Sequence, residues 1–383
     1  MGRDKLTKKV LIVATVVKTH IMEFHIPILK MFKEMGWETA VAAKNDYKDP
    51  KECQIPYCDK YYNVPFERSP FKTENIVAYR NLKKIINNNN FDIIHCNTPV
   101  ASVITRLVAK KARKKGSKIF YTAHGFHFYT GAPLINWLLY YPVERFLARY
   151  TDVLITINKE DYNRAKKFRA KKVVYIPGVG IDLKKFRRSL TEKGKRQQLG
   201  LSNKNLVLLS VGELIPRKNH EIVLKAISSL KNNSIYSSIK YLICGDGELK
   251  DYLKDLTIKL GIENHVLFLG YRKDVYKFYS MSDIFIFMSK QEGLPVALME
   301  AMASDVPIIC SRIRGNVDLV KDNINGLFAE NNCESISNRI VELTTNKKLR
   351  LKLKKNELKY IEKFELTKVL KQMKKIYLEE LHE

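Results

Sequence analysis

Two glutamates on either side of a glycine-containing turn form the segment with the clearest chemical meaning in this chain. In chain order its residues are Glu292, Gly293, Leu294, Pro295 and Glu300, and they follow the strand-like run DIFIFMS. Glycine lets a backbone approach a ligand closely, and proline suits the first turn of a helix. The free N–H groups at a helix start attract a phosphate. The two carboxylates could then bind hydroxyls on either side of that phosphate, which matches the order sugar, diphosphate, ribose in a sugar nucleotide.

A pair of cations, Arg217 and Lys218, lies in a second segment of this kind, SVGELIPRKNH. The segment predicts a strand, a loop and the start of a helix. Cations at such a turn can neutralise a leaving diphosphate, which is the main electrostatic requirement when a glycosyl group is transferred. The same two residues could also be ordinary cations at a helix start.

These segments carry a family resemblance. The run SKQEGLPVALMEAMA, between two strand-like segments, resembles the Glu-x7-Glu signature of the retaining family 4 glycosyltransferases, which have the GT-B fold. SVGELIPRKNH resembles the GRLxxxKG segment of that family, with Lys218 at the position of its phosphate-binding lysine. One departure is Glu213, at a place where the family commonly has arginine. Either Arg217 supplies that charge, or Glu213 has a role particular to a subgroup.

The resemblance implies roles for residues of the second half. Glu292 is expected at the donor sugar and Glu300 at the ribose hydroxyls. The segment FLGYRKDV places Gly270, Tyr271 and Arg272 where the family holds the nucleotide base, although Arg272 could equally be a solvated side chain. In CGDGELK, Asp246 is expected to act as a helix-capping acceptor rather than in catalysis.

The first half offers histidines after its predicted strands. His124, in TAHGFHFYTGAP, matches the family's active-site histidine, which faces the donor sugar, and it could carry charge near neutral pH. His127 is a second candidate, but a packing role is favoured for it. His20 and Asn97 are predicted to bind the acceptor, while Asn97 could instead cap a helix. The segment KTHIMEFHIP, which contains His20 and His25, replaces a glycine-rich loop that often contacts the acceptor.

Length and composition bound the class of protein. The 383 residues suggest two domains, and no stretch of about 18 apolar residues is free of charge. The first residues, MGRDKLTKKVLIVATVVKTH, read as a buried strand rather than a signal peptide. The six cysteines are scattered without the spacing of a zinc site, which favours a reducing cytosol.

The formal net charge of +28 is large, and the lysines and arginines form clusters such as KKARKKGSK and NKKLRLKLKK. A basic surface attracts nucleic acid or an anionic membrane. No nucleic-acid-binding motif accompanies the charge, so a nucleic-acid partner is not expected. An anionic membrane surface remains as a partner, and lysine-rich composition alone is the alternative. The aromatic segment 133–150 could touch a bilayer, but its spacing favours a place in the core.

Strand-like apolar runs alternate with helical patterns along the chain, which predicts an α/β fold with parallel sheets. Six strands are predicted in the first half, and the pattern restarts after a glycine-rich, charged segment near residues 180–200. We therefore predict GT-B architecture, with two doubly wound Rossmann-like domains facing a central cleft. The predicted parts are an acceptor-binding domain (1–183), a donor-binding domain (184–366) and a helix that crosses back to the first domain (367–383).

The sequence thus predicts a retaining glycosyltransferase that needs no cofactor and no metal, because no Asp-x-Asp motif has the usual metal context. The expected donor is a nucleotide diphosphate sugar, most simply a UDP-sugar. The expected acceptor is a polyprenyl-diphosphate-linked or free saccharide in capsule or exopolysaccharide synthesis, at the cytoplasmic face of the membrane. Two alternatives stay open: a sugar-nucleotide epimerase of the same fold, and a basic nucleic-acid or membrane-binding protein without catalysis.

Overall fold

The computed structural model describes residues 7–188 and 195–382, and the chain divides into two compact units. The first unit runs to Val179 and includes residues from Thr367 onward, and the second is Gly180–Leu366. The division therefore falls a few residues before the predicted boundary at 183/184. The predicted fold class is confirmed in that each unit is built on a parallel sheet with helices between its strands.

In its described part, the first unit has a seven-stranded sheet in the order β3-β2-β1-β4-β5-β6-β7, with all neighbours parallel. The strands are β1 Lys9–Val16, β2 Glu38–Lys44, β3 Lys60–Asn63, β4 Ile93–Asn97, β5 Lys118–Ala123, β6 Val153–Thr156 and β7 Lys172–Tyr175. The central strands β1 and β4 are buried along nearly their whole length, as their continuous apolar runs require. Edge strand β3 was not predicted.

The helices of the first unit connect these strands and end with the last helix of the chain. They are α1 Met22–Phe24, α2 Ile26–Glu34, α3 Glu74–Asn88, α4 Pro99–Val108, α5 Lys110–Lys114, α6 Leu134–Leu147, α7 Lys159–Ala165 and α17 Leu366–His382. A π-helical turn, Val17–Ile21, follows β1 directly. Such turns are rare and are frequently found at functional sites.

The sheet of the second unit, within the described residues, has six parallel strands in the order β10-β9-β8-β11-β12-β13. They are β8 Leu206–Val211, β9 Ile239–Cys244, β10 Val266–Gly270, β11 Ile284–Phe287, β12 Ile308–Ser311 and β13 Leu327–Ala329. The helices are α8 Leu183–Arg188, α9 Lys195–Gln198, α10 His220–Ser229, α11 Lys250–Lys259, α12 Tyr276–Met281, α13 Val296–Ala303, α14 Asn316–Leu319, α15 Cys333–Thr345 and α16 Lys347–Ile361.

The final helix, α17, is bound into the core of the first unit. The hydroxyl of the fully buried Tyr377 lies 2.7 Å from Nδ1 of His95 in β4, and Glu380 pairs with Lys171 at 2.8 Å. The other ring nitrogen of His95 lies 2.8 Å from the hydroxyl of Thr122. His95 is thus held on both sides, which suits a structural role.

Helix α6 is attached to the first unit by a buried ion pair. The Arg106 guanidinium of α4 donates two hydrogen bonds to the Glu144 carboxylate, at 2.9 and 3.1 Å, and the Tyr121 hydroxyl donates a third at 3.2 Å. Both charged groups are buried. Removing one partner of such a pair leaves an uncompensated buried charge.

We expect Glu144→Ala to lower the free energy of unfolding by about 3–5 kcal/mol, because it leaves Arg106 buried without its carboxylate. Urea unfolding followed by circular dichroism measures this. Glu34→Ala is the matched control, since Glu34 is exposed on α2, and it should change the free energy by less than about 0.5 kcal/mol. A Glu144→Ala variant as stable as that control would show that the pair does not hold α6.

None of the helices in the described ranges 7–188 and 195–382 is both long and apolar enough to cross a bilayer.

Candidate functional site

The second unit gathers its predicted donor-site residues at the carboxyl ends of β8 and β11, where doubly wound sheets generally bind ligands. The loop after β8 carries Arg217 and Lys218, and the loop after β11 carries Glu292. Lys218 Nζ lies 2.8 Å and Arg217 Nη1 lies 2.9 Å from Oε1 of Glu292. The two cations and the first glutamate of the signature, 74 residues later, therefore form one ion cluster.

Residues that sequence reasoning did not select complete this cluster. Ser289 donates a hydrogen bond of 2.5 Å to the same oxygen, Glu292 Oε1, and Arg314 Nε donates to the Glu292 carbonyl at 3.1 Å. Gly315 has φ of +83°, and a Cβ there would lie 2.4 Å from the carbonyl oxygen of Gly293. Only glycine lets these two loops approach so closely. The segment RGN at 314–316 is the signal that could have found them.

The second glutamate of the signature is oriented by a tyrosine. Glu300 lies in α13, which begins directly after its N-cap residue Pro295. The hydroxyl of buried Tyr279 in α12 is 3.0 Å from Glu300 Oε2 and 2.9 Å from the Ala297 carbonyl oxygen. Burial, followed by the charge of Glu300, raises the pKa of Tyr279 well above its usual value, so the hydroxyl stays protonated and can donate. Tyr279 was not predicted.

The remaining predicted donor-site residues lie in loops at the same edge of the sheet. Gly270 ends β10 with φ of +67°, and Tyr271 after it is mostly exposed. Arg272 pairs with Asp274 at 2.9 Å, and Glu213 is exposed in the loop after β8. Leu294 is buried between Gly293 and Pro295.

The segment CGDGELK is architectural. A Cβ at Gly245 would lie 1.8 Å from the Gly212 carbonyl oxygen, so the loops after β8 and β9 can pack only with glycine there. The prediction that Asp246 caps the following helix is wrong in detail. Helix α11 has Leu249 as its N-cap residue, and Asp246 instead accepts a hydrogen bond from the backbone of Gly247.

The first unit brings together four side chains from the ends of three strands. His20 lies in the π-helical turn after β1, Asn97 ends β4, His124 follows β5, and His25 lies between α1 and α2. The His20 ring centroid is 5.0 Å from those of both His25 and His124. Nε2 of His124 donates to Asn97 Oδ1 at 3.1 Å. The predicted catalytic histidine and the two predicted acceptor-site residues are therefore neighbours.

Burial keeps the imidazoles of this cluster neutral at pH 7. It lowers the pKa of His124 to about 4, and it lowers the pKa values of His20 and His25 well below 6.5. The expectation that His124 could carry charge near neutral pH is thus wrong, since desolvation disfavours the imidazolium. His124 can act there as a neutral hydrogen-bonding group. His127 stacks on Tyr140 at a centroid distance of 4.6 Å, outside this cluster.

Several polar atoms of the cluster have no protein partner among the described residues. They are Nε2 of His20, both ring nitrogens of His25 and Nδ2 of Asn97. Leaving such groups unpaired in the interior is unfavourable, which is typical of a ligand site. The ring nitrogens of His20, His25 and His124 also lie within 4.8 Å of one another, close enough to hold a metal ion jointly. Neutral imidazole is the form that binds metals.

A further buried histidine, His220, lies in the second unit. His220 begins α10, directly after the loop that carries Lys218, and burial lowers its pKa to about 4. Its Nε2 has no protein partner in the described part of the chain. The sequence SVGELIPRKNH contains this residue, but its spacing gave no reason to choose it.

Comparison with known proteins identifies the family and the class of this fold. The model of the family "Glycosyl transferases group 1" matches residues 191–360, and that of "Glycosyl transferase 4-like" matches residues 9–158. The putative glycosyltransferase EpsD of Bacillus subtilis (strain 168) is 37% identical over 377 residues, covering 97% of both chains.

Two further comparisons extend over most of the chain. The Escherichia coli UDP-Gal:alpha-D-GlcNAc-diphosphoundecaprenol alpha-1,3-galactosyltransferase is 30% identical over 304 residues, covering 78% of both chains. The crystal structure of Anabaena Alr3699/HepE in complex with UDP and glucose superposes with a TM-score of 0.80 at 21% identity, covering 97% of this chain and 100% of that one.

The fold and the matched families define a glycosyltransferase of GT-B type. The chain belongs to the family 4 glycosyltransferases, and the resemblance inferred from its motifs is confirmed.

Proposed function

We propose that the protein is a retaining, metal-independent glycosyltransferase that transfers a sugar from a UDP-sugar to a lipid-linked saccharide. The observation that carries this proposal is the convergence of Lys218 and Arg217 on Glu292 Oε1, directly before α13. The likeness to the E. coli galactosyltransferase supports the donor and acceptor classes, because its name specifies UDP-Gal and a diphosphoundecaprenol-linked sugar. The likeness to a UDP-bound structure supports the nucleotide.

The donor is proposed to bind across the second unit. Its diphosphate lies at the start of α13, where the free N–H groups after Gly293 and the cations Lys218 and Arg217 balance its charge. Glu300 accepts from the ribose hydroxyls, with Tyr279 holding its carboxylate in place. The base lies at Gly270, Tyr271 and Arg272, with Glu213 at the margin of the site.

Glu292 is proposed to hold the donor sugar. The three side-chain donors that reach it, from Lys218, Arg217 and Ser289, all bond to Oε1. Its second oxygen can therefore accept from a sugar hydroxyl, while the nearby cations move onto the diphosphate. This exchange lets the cluster bind sugar and diphosphate with the same side chains.

The transfer is proposed to proceed on one face of the sugar. The bond from the anomeric carbon to the diphosphate oxygen breaks, the acceptor hydroxyl oxygen bonds to that carbon, and the departing diphosphate takes the hydroxyl proton. No protein base is needed, and Lys218 with Arg217 supplies the charge that a metal ion would otherwise bring. The family resemblance assigns His124 of the first unit to catalysis, and its neutral imidazole can supply a hydrogen bond there.

The acceptor is proposed to bind the first unit, near His20 and Asn97, where buried polar atoms lack partners. A polyprenyl-diphosphate acceptor would place the protein at the cytoplasmic face of the membrane, in the synthesis of an exopolysaccharide or capsule. The net charge of +28 favours an anionic membrane surface.

Thermal shift with UDP-, GDP- and ADP-sugars tests the donor, followed by turnover with GlcNAc-diphosphoundecaprenol and with free saccharides. We expect UDP-sugars to raise Tm. NMR of the product should show that the transferred sugar keeps the anomeric configuration that it had in the donor. Turnover should persist in EDTA; loss in EDTA and recovery with Zn²⁺ would contradict metal independence and point to the three histidines. Conversion of the UDP-sugar without any acceptor would instead support an epimerase.

A further inference from the structure

The first unit contains a cavity of about 620 Å³, within the range typical of small-molecule sites. Its polar lining residues include Thr19, His20, Arg68 and Thr98. Arg68 donates to the hydroxyl of Thr19, the residue before His20, at 3.3 Å. Its guanidinium is close enough for its charge to help lower the pKa of His20, after burial and the charge of His124. The rest of the lining is largely apolar and includes Phe71, Val103, Leu139 and Val143. A cavity of this composition fits a molecule with a charged head and an apolar chain.

The apolar part of this cavity continues onto the outer face of α6. Side chains of this helix are between 42% and 81% exposed at six large apolar positions: Leu134, Ile135, Leu138, Leu139, Val143 and Phe146. Leu139 and Val143 also line the cavity, and so does Phe71, which is 83% exposed. The expectation that segment 133–150 belongs to the core therefore holds only for its aromatic side, since Trp137, Tyr140 and Tyr141 pack inward. Contiguous apolar surface of this kind marks an interaction site.

The charges around α6 match an anionic surface. The one acidic residue of α6 is Glu144, which is buried against Arg106. Arg145 and Arg149 are exposed at its carboxyl end. The basic helix α5 adjoins them, because Arg113 Nη1 donates to the Arg149 carbonyl at 3.2 Å. An apolar helix face with cations at its border is the pattern of a helix that lies in a membrane interface.

We propose that α6 inserts its outer face into an anionic bilayer and that the adjoining cavity takes the first isoprene units of a polyprenyl-diphosphate acceptor. The diphosphate then lies at Arg68 and His20, beside the unpartnered atoms of the histidine cluster. This arrangement rests on the lipid-linked acceptor proposed above. The polyprenyl chain can then pass from the bilayer along α6 into the cavity while it stays in contact with apolar side chains.

Co-sedimentation with phosphatidylcholine vesicles, with and without phosphatidylglycerol, tests the insertion. The variant Leu134→Gln/Leu138→Gln keeps the net charge, and we expect it to bind phosphatidylglycerol vesicles at least about tenfold more weakly than the native protein. Ile258→Gln is the matched control, since Ile258 is 66% exposed on α11, and it should bind like the native protein. Equal binding by the native protein and the α6 variant, or no binding by either, would overturn the insertion.

Turnover with two acceptors tests the cavity. Val103→Trp fills part of it, and we expect at least a tenfold loss of turnover with GlcNAc-diphosphoundecaprenol but none with the same sugar diphosphate on a short alkyl chain. Equal losses with both acceptors would refute chain binding in the cavity. If the native protein used neither acceptor, the proposed acceptor would be wrong, and the vesicle experiment would still decide whether α6 inserts. The Leu134→Gln/Leu138→Gln variant can be tested with the same two acceptors, because its substitutions lie on the surface and leave the core intact.

Discussion

Replacing Lys218 by alanine is expected to lower kcat by about 10²–10³, the usual cost of losing one preorganised group that stabilises developing charge. Lys218 is the better buried of the two cations, with 13% of its side chain exposed against 38% for Arg217. Its charge therefore acts in a less screened environment. The fold should persist, because Arg217 and Ser289 continue to bind Glu292 Oε1.

Lys225→Ala is the matched control for this prediction. Lys225 lies in α10, shortly after Lys218 in the chain, but it pairs with Glu221 on the surface. We expect its kcat to stay within about twofold of the native value, because an exposed ion pair contributes little. Steady-state kinetics with saturating UDP-sugar and calorimetric titration with UDP separate turnover from donor binding. A folded Lys218→Ala enzyme with native kcat and UDP affinity would show that the diphosphate binds elsewhere.

A double variant tests whether the cluster works as one unit. In Lys218→Ala/Glu292→Gln, the loss of transition-state stabilisation should be smaller than the sum of the two single losses, because both residues share one ion pair. Additive losses would indicate that the two side chains act on separate parts of the donor.

Most strands, and their parallel direction, followed from the sequence because buried strands are apolar and rich in β-branched residues. The two strands that were not predicted, β3 and β13, lie at the edges of their sheets, and β13 has only three residues. The segment KYYN of β3 is polar at both ends, so it lacks the apolar run that identified the others. Edge strands are commonly short and polar, which hides them from pattern reasoning.

Candidate site residues could be proposed from the sequence where a residue of a given type at a given position has few other structural or chemical roles. Glu292, Lys218 and His124 could be proposed from the sequence because each follows a strand within a recognisable segment. Tyr279 and Arg314 act through contacts to residues distant in the chain, and such contacts depend on packing rather than spacing. The neutral state of His124 likewise depends on burial, which no local pattern reveals.

The sequence also could not predict which side of α6 is exposed. Its sequence, LINWLLYYPVERFL, is apolar on nearly every side, so periodicity could not decide which side faces the core. The structure decides this through Glu144. Because the carboxylate must meet buried Arg106, the helix is fixed with Leu134 and Leu138 outward.

The stability of the protein is expected to fall steeply as the pH drops below about 6.5, because several histidines are buried in their neutral form. Burial lowers the pKa of His95 to about 3 and those of His124 and His220 to about 4, against 6.5 for an exposed imidazole. Between these values the unfolded chain binds protons that the folded chain does not. The stabilisation is thus complete above the unfolded pKa and is lost as the pH falls towards the folded pKa.

Each such histidine should contribute about 1.4 kcal/mol per pH unit to this loss, or about 3 kcal/mol for His124 across its whole window. Urea unfolding at several pH values between 7 and 5 measures how the free energy of unfolding changes with pH. This pH range lies above the one in which most carboxylates titrate, so the slope of the free energy against pH reports the histidines. We expect His124→Asn to reduce the slope by about one proton. Asn97→Ala, the control, disturbs the same hydrogen bond without removing a titrating group, so it should keep the slope. An unchanged slope in His124→Asn would mean that the folded protein also protonates His124, and the imidazole would then act as a cation rather than as a neutral hydrogen-bonding group.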